Sequence, residues 1–345
     1  MSNPEEKPDL LDCPASVGGD APAAPLEIIV PRDVPLGGPR AMPVRRTLPS
    51  RQRSLIGAWC FVDHYGPDDV ARTGGMKVPP HPHIGLQTVS WLFSGRIVHR
   101  DSAGHHADVL PGEVNLMTAG RGISHSEISA DEDEPVLHGA QLWVALPADA
   151  LNVEPRFDHH RPDPVAGADW SLRVFLGTLA GSTSPVSTYT PLLGAEVLLD
   201  PGASLGLEID PAFEHGLLVD TGSVEVSTGA DGDGGLIAPG ELGYLTPGRS
   251  RLLLRAGAEP VRLLLLGGPP FGESIVMWWN FVGRTHEEIV EARQAWMTAI
   301  TDPGSGAVVG DSQQVAESRF GTVIGDHLAP IPAPGLPGTR LRTRR

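Results

Sequence analysis

The stretch PGEVNLMTAGR at residues 111–121 decides the fold, because a second version, PGELGYLTPGR, stands at residues 239–249. In both copies the glycine that follows the first proline and the glycine that precedes the arginine lie eight residues apart. A further turn glycine, Gly95 in the first copy and Gly222 in the second, lies 17 or 18 residues upstream of the first of them. Turn glycines at matching spacings among strand-like runs predict two copies of one β-barrel domain.

The composition agrees with a chain of short strands joined by tight turns. Apolar runs such as those at 86–93, 139–146 and 262–266 are separated by Gly, Pro, Asp or Asn. The chain of 345 residues contains 42 Gly and 34 Pro, and only 5% of its residues are aromatic. Runs of this length and punctuation are typical of β-strands, so the predicted class is all-β.

One helix is predicted near the C-terminus, over residues 285–302. Thr285 can cap it, with Glu288 three residues later as in a capping box, and apolar residues then recur at helical spacing. The expected domain organisation is a flexible leader, an N-terminal metal-binding barrel, a C-terminal metal-free barrel, the helix, and a Pro-rich and basic tail. Their ranges are 1–25, 26–160, 161–284, 285–302 and 303–345. Within that tail, residues 329–345 are expected to lie extended on the surface or to be disordered.

Charge and termini exclude several classes of protein. The formal net charge of −16 argues against direct binding of nucleic acid. No apolar run reaches the roughly 18 residues of a membrane-spanning helix, and the N-terminus lacks the pattern of a secretory signal. With only Cys13 and Cys60, the sequence favours two free thiols in the cytoplasm.

Two short motifs carry candidate metal chemistry. His81 and His83 are two residues apart, and His125 and Glu127 repeat that spacing 42 residues after His83. Residues i and i+2 of a strand point to the same face, so all four side chains can enter one barrel interior. Three imidazoles and a carboxylate suit divalent iron, manganese, nickel or copper, and zinc would also bind. The alternative is a set of unrelated surface or core histidines.

The second copy lacks this donor set. At the equivalent offsets it carries Glu208 and Asp210, then Leu253 and Arg255. Leucine and arginine cannot replace a histidine and a glutamate as ligands, so the second barrel is expected to be metal-free.

Other polar residues are weaker candidates. Gln87 follows His83 by four residues, but an amide is a poor ligand. His138 lies in a strand-like run and is expected to be hydrogen-bonded. The remaining histidines of this region are expected on the surface or in a linker at 159–169, and they are His99, His105, His106, His159 and His160.

Longer motifs resemble the pirin family of the cupin superfamily. They are HPHIGLQTVSWLFSG, LPGEVNLMTAGRGISHSE, HGAQLWVALP and GGPPFGESIVMWWNFVGRTHEEI. Together with their flanks they span about Trp59 to Ala292, which is most of the chain. Two departures stand out. Gln87 occupies a position where Glu is common in the family, and the extension after about Met297 is not part of the shared core.

The resemblance implies a bicupin, in which two β-barrels face each other and only the N-terminal one holds metal. The family's ligands fall on His81, His83, His125 and Glu127, and the metal is usually iron. Some members look like quercetin 2,3-dioxygenases, whereas others are described as transcriptional co-regulators that act through protein contacts.

Two functions follow as expectations. The first is a metal-dependent dioxygenase that cleaves quercetin or a similar aromatic enol with O2, in which Glu127 is the catalytic residue and accepts the enolic proton. Apolar walls such as Leu116, Met117 and Leu142 would exclude water. The alternative is a non-catalytic, iron-dependent protein whose metal state a protein partner reads.

Overall fold

The structure is a computed structural model that describes residues 26–36, 42–129, 135–229 and 234–344. The expected leader, with Cys13, lies outside the described residues. Within them the chain is mainly β-strand, which confirms the predicted class. None of the described helices is long and apolar enough to cross a membrane.

The first half of the chain forms two antiparallel sheets. One has seven strands in the order β12-β9-β6-β11-β4-β3-β2, and the other has four in the order β5-β10-β7-β8, with bounds given next. The strands and the short helix α1 are β1 Glu27–Ile29, β2 Arg32–Leu36, β3 Met42–Leu48, β4 Trp59–Asp69, α1 Val70–Thr73, β5 Lys77–His83, β6 Leu86–Ser94, β7 Ile97–Asp101, β8 His106–Val109, β9 Val114–Thr118, β10 Ile123–Ser129, β11 Val136–Ala145 and β12 Arg156–His160. His159 and His160 therefore belong to a strand, and not to the linker in which they were expected.

The second half repeats this arrangement. Its seven-stranded sheet has the order β1-β22-β19-β24-β17-β14-β13, and its four-stranded sheet has the order β18-β23-β20-β21. The elements are β13 Val165–Ala166, β14 Trp170–Leu176, β15 Thr178–Leu179, β16 Ser182–Thr183, β17 Leu193–Leu199, β18 Ser204–Glu208, β19 Glu214–Thr221, β20 Val224–Ser227, β21 Gly234–Ile237, β22 Leu242–Leu245, β23 Arg251–Ala256, β24 Val261–Gly268, β25 Val276–Trp278, β26 Phe281–Gly283 and helix α2 His286–Ile300. Strand β1 precedes the strands of the first half but pairs with β22 of the second half.

The turn glycines that revealed the repeat occupy the same backbone conformation in both halves. Gly95 and Gly222 have φ angles of 87° and 69°, a region that disfavours residues with a Cβ. A Cβ on Gly95 would lie 2.8 Å from the carbonyl oxygen of Val136, and one on Gly222 would lie 2.3 Å from that of Pro260. In both halves, the glycine lets this turn approach the neighbouring backbone closely.

The two seven-stranded sheets face each other across a shared apolar cluster. Leu263 and Leu265 of β24 face the interior of the second half, whereas the leucines that alternate with them, Leu264 and Leu266, face the first half. The run of leucines is continuous because both faces of the strand are buried. The predicted pair of facing β-units with a C-terminal helix is confirmed.

Helix α2 begins where the capping box predicted. The Thr285 hydroxyl accepts a hydrogen bond from the Glu288 amide at 3.2 Å. Its apolar stripe of Ile289, Ala292, Trp296 and Ile300 is completely buried.

The segment after the helix is packed into the molecule, including residues 329–344, which were expected to lie on the surface or to be disordered. Phe320 is 0% exposed and lies in one apolar cluster with Trp296 of helix α2. The Ile331 amide donates to the carbonyl of Pro80 at 2.8 Å, and the Ser124 amide donates to that of Phe320 at 2.9 Å. The segment thus lies against β5 and β10.

Candidate metal centre

Strands β5 and β10 bring three of the four predicted ligands together. The strands pair antiparallel, with His125 opposite His81 and Ile123 opposite His83. The three imidazoles are 0% exposed, and a ring nitrogen of each lies within 4.8 Å of the others. The Nε2 atoms of His83 and His125 are 3.1 Å apart.

Backbone carbonyls fix the orientation of two of these rings. Nδ1 of His81 lies 2.9 Å from the carbonyl oxygen of Pro79, and Nδ1 of His83 lies 3.0 Å from that of Asn280. A carbonyl only accepts, so each Nδ1 carries the proton and donates it. In the neutral ring Nε2 then keeps a free lone pair, as a metal ligand requires.

The electrostatics of the three rings favour the neutral, ligating form. Burial holds the pKa values of His81, His83 and His125 well below their ordinary value. Nε2 of His81 is buried and has no hydrogen-bond partner among the described residues. Burying such an atom is costly unless something binds it, so the donor set fits a divalent transition metal.

Glu127 lies at the side of this group. Its carboxylate is 1% exposed and forms a second possible metal-binding group with His99 and His125, which shares His125 with the first. Glu127 also lies near Tyr65, whose phenol pKa is raised mainly by burial and further by the carboxylate charge. His125 therefore belongs both to the three-histidine group and to the group that contains the carboxylate.

An aromatic and apolar wall lies beside the histidines. The ring of Trp143 meets that of His83 edge-on with centroids 5.2 Å apart and stacks on Phe61 at 4.0 Å. Met117 belongs to the same cluster. Leu116 and Leu142 were wrongly expected there, because neighbouring strand residues alternate and these two face the cluster between the seven-stranded sheets.

Two further polar residues near the site, Gln87 and His99, are buried. Gln87 is fully buried and donates from Nε2 to the Thr118 hydroxyl at 3.0 Å. His99, expected on the surface, is 3% exposed, because β7 pairs with β10 and places it opposite Glu127.

A second polar cluster joins the two halves, and sequence spacing did not reveal it. His64, His138 and Asp220 come from β4, β11 and β19 and are all buried. Both imidazole Nε2 atoms approach the Oδ1 atom of Asp220, at 2.8 Å for His64 and 2.7 Å for His138. The hydrogen bonding expected for His138 is thus observed.

The surroundings of this cluster favour hydrogen bonding over metal ligation. Nη2 of Arg45 lies 3.2 Å from Nδ1 of His64, slightly closer than its 3.4 Å to Nε2. A guanidinium only donates, so Nδ1 accepts and the proton of neutral His64 sits on Nε2, toward Asp220. Arg262 holds the other oxygen of Asp220 at 3.3 Å. We therefore interpret the cluster as a hydrogen-bonded junction.

The second half does not reproduce the three-histidine group. Glu208 and Asp210 are exposed, and Leu207 and Ile209 occupy the inner face of that strand and the residues after it. Arg255 is also exposed and lies 3.6 Å from Glu225. Among the described residues, no possible metal-binding group of three lies within the second half alone.

Comparisons with known proteins agree with this architecture. Residues 41–144 match the family profile described as Pirin, and residues 194–301 match that of the Pirin C-terminal cupin domain. A protein of Pseudomonas aeruginosa named "Putative quercetin 2,3-dioxygenase" is 46% identical over 301 residues, which cover 86% of this chain and 90% of that protein.

Two further relatives cover most of the chain. A pirin-like protein of Caulobacter vibrioides is 35% identical over 262 residues, covering 73% of this chain and 87% of that protein. The crystal structure of a quercetin 2,3-dioxygenase from Acinetobacter baumannii superimposes with a TM-score of 0.79 at 34% identity, covering 92% of this chain and 97% of that chain.

Proposed function

Because this chain belongs to the pirin family of cupin proteins, we propose that it is a metal-dependent dioxygenase that cleaves quercetin or a similar aromatic enol with O2. The proposed ligands are His81, His83, His125 and Glu127. The observation that carries the proposal is the convergence of three buried imidazoles, one of which has an Nε2 atom that no group in the described part of the chain hydrogen-bonds. The names of the Pseudomonas and Acinetobacter relatives support the reaction class.

The proposed cofactor is a single divalent metal ion, with Fe(II) preferred and Mn, Ni, Cu or Zn accepted by the same donors. A bound redox-active metal supplies electron exchange with O2 and Lewis acidity toward an enol oxygen. The half of the molecule that contains β13–β24 is proposed to be metal-free and to cover the first half.

The residues of the chain orient the ligating imidazoles, provide a base and exclude water from the site. The carbonyls of Pro79 and Asn280 hold two imidazoles in the ligating tautomer. A carboxylate oxygen of Glu127 accepts the proton of the substrate's enolic hydroxyl, which leaves an electron-rich enolate for reaction with O2. The rings of Trp143 and Phe61 exclude water, which strengthens the electrostatic interactions at the site.

We also propose a cytoplasmic location. Cys60 is a free and buried thiol, and burial raises its pKa to about 12. A thiol of this kind behaves as a small apolar side chain and needs no oxidising compartment.

The test is oxygen uptake by iron-loaded protein on addition of quercetin. The wild type and His125→Ala are compared with His106→Ala, which removes an exposed histidine from the same part of the chain. Iron content is measured for each protein. We expect uptake, coupled to loss of quercetin, in the wild type and in His106→Ala, and its loss in His125→Ala.

Iron-loaded wild type that consumes no oxygen with quercetin or related enols would contradict the dioxygenase. That result would favour the non-catalytic, iron-dependent interaction protein, and partners of the iron-loaded form would then be sought.

A further inference from the structure

His125 is oriented differently from the other two histidines. Its Nδ1 atom faces Nδ1 of His99 at 3.4 Å, whereas His81 and His83 each face a backbone carbonyl. Nε2 of His99 in turn lies 3.2 Å from Oδ2 of Asp101. A carboxylate, an imidazole and the predicted ligand thus form one row that ends beside Nε2 of His83.

Asp101 can act only as a hydrogen-bond acceptor in this row. It is 1% exposed, and its Oδ1 atom accepts the backbone N–H groups of Ala103 at 2.9 Å and His105 at 3.0 Å. Nδ1 of the His105 ring also lies within 3.1 Å of both carboxylate oxygens. All of these groups act as donors to the carboxylate, and the ionised carboxylate only accepts, so His99 must donate from Nε2.

The direction of donation then propagates along the row. A neutral His99 that donates from Nε2 offers a lone pair at Nδ1, and His125 answers by donating from its own Nδ1. Nε2 of His125 is left with its lone pair beside Nε2 of His83. We infer that Asp101 and His99 are positioning residues that hold His125 in the tautomer able to ligate the metal.

The reverse arrangement shows what depends on the row. If Nδ1 of His99 carried the proton, it would donate a hydrogen bond to Nδ1 of His125. The proton of the neutral His125 ring would then have to lie on Nε2. A protonated Nε2 cannot bind a metal. The inference rests on the proposed metal site, but the tautomer can be measured in protein without metal.

Asp101→Asn reverses the donation with little change of shape. The backbone N–H groups of Ala103 and His105 can only donate, so they retain the amide oxygen of the asparagine, and the NH2 group must face His99. The NH2 group donates to Nε2 of His99, which places the His99 proton on Nδ1. His125 is then driven into the non-ligating tautomer.

The first readout is the imidazole tautomer of His125 in metal-free protein, measured by long-range 1H–15N NMR with histidine labelling. We expect the Nδ1–H form in the wild type and the Nε2–H form in Asp101→Asn. Asp108→Asn is the matched control, because Asp108 is exposed and pairs with Arg96 at the surface. It should keep the wild-type tautomer.

The second readout is metal affinity and the absorption spectrum of the Co(II)-substituted protein. We expect affinity to fall about 10- to 100-fold in Asp101→Asn, which is typical when the partner of a ligating histidine is lost. His99→Leu should show the same loss. His99→Gln should recover part of the affinity and spectrum, because an amide can accept from His125 and donate to Asp101.

An Nε2–H tautomer in the metal-free wild type, or an unchanged tautomer in Asp101→Asn, would overturn the inference. Equal metal affinity and spectra in the wild type, Asp101→Asn and His99→Leu would overturn it as well. A wild type that shows the expected tautomers but binds no metal would instead count against the proposed function.

Discussion

Histidines that look alike in sequence differ in what lies at their second ring nitrogen. His81 and His83 face carbonyls, which only accept, and His64 faces the guanidinium of Arg45, which only donates. These contacts place the proton on opposite nitrogens. The carbonyl-facing rings present a lone pair at Nε2, whereas His64 presents an N–H group there, to Asp220.

His64, in the hydrogen-bonded junction between the two halves, gives a pH-dependent prediction for stability. Burial holds the pKa of His64 below its ordinary value and outweighs the hydrogen bond that His64 donates to Asp220, which raises it. In the unfolded chain the ordinary value applies, so below about pH 6.5 the unfolded state binds more protons than the folded one. The stability contributed by neutral His64 is therefore complete above that pH and is lost as the pH falls.

Urea unfolding of metal-free wild type and His64→Gln at pH 8 and pH 5 measures this contribution. The variant is expected to lose less stability between the two pH values, whatever its absolute stability, because one titrating group has been removed. Equal losses in the two proteins would mean that His64 titrates normally in the folded state.

At the scale of elements, the segment after α2 supports the strands that carry the proposed ligands. Phe320 meets Trp296 edge-on with ring centroids 5.6 Å apart, and its carbonyl accepts from the Ser124 amide next to His125. Phe320→Ala should lower the free energy of unfolding by about 3–5 kcal/mol, since it removes a fully buried aromatic ring.

The matched control for Phe320→Ala is Ile324→Ala, four residues later, where the side chain is 69% exposed. Urea unfolding of both variants is compared with the wild type. Ile324→Ala is expected to stay within about 0.5 kcal/mol of it. A similarly small effect of Phe320→Ala would mean that the segment is not part of the cooperative fold.

Local patterns were sufficient to predict the elements whose physics is local. A positive φ strongly favours glycine, as at Gly95 and Gly222, so the spacing of the turn glycines revealed the repeat. His81 and His83 share a strand face through their spacing of two. The helix could be predicted because Thr285 and Glu288 cap it within four residues.

Contacts between distant segments left no such pattern. The junction joins His64 to Asp220 across 156 residues, and His83 is oriented by the carbonyl of Asn280, 197 residues away. A backbone carbonyl has no side-chain signature at all. His99 was misplaced because charged neighbours suggested a surface turn, whereas pairing of β7 with β10 buries it.

At the scale of the whole molecule, the two halves are expected to unfold together. They share the cluster between the seven-stranded sheets, in which Trp91 stacks on Phe175 with ring centroids 4.6 Å apart. Strand β1 completes the sheet of the second half, and Asp220 of that half accepts from His64 and His138 of the first. Separating the halves would expose this apolar surface and break the junction.

Metal binding in the first half should therefore protect the second. Metal at 100 times its dissociation constant stabilises the native state by about 2.7 kcal/mol. If unfolding is cooperative, amide hydrogen exchange should slow equally in the cores of β6 and β24, although β24 lies in the half proposed to hold no metal. In His125→Ala, metal should slow neither strand. Protection confined to β6 in the wild type would instead show that the halves open separately, and the shared cluster would then not couple them.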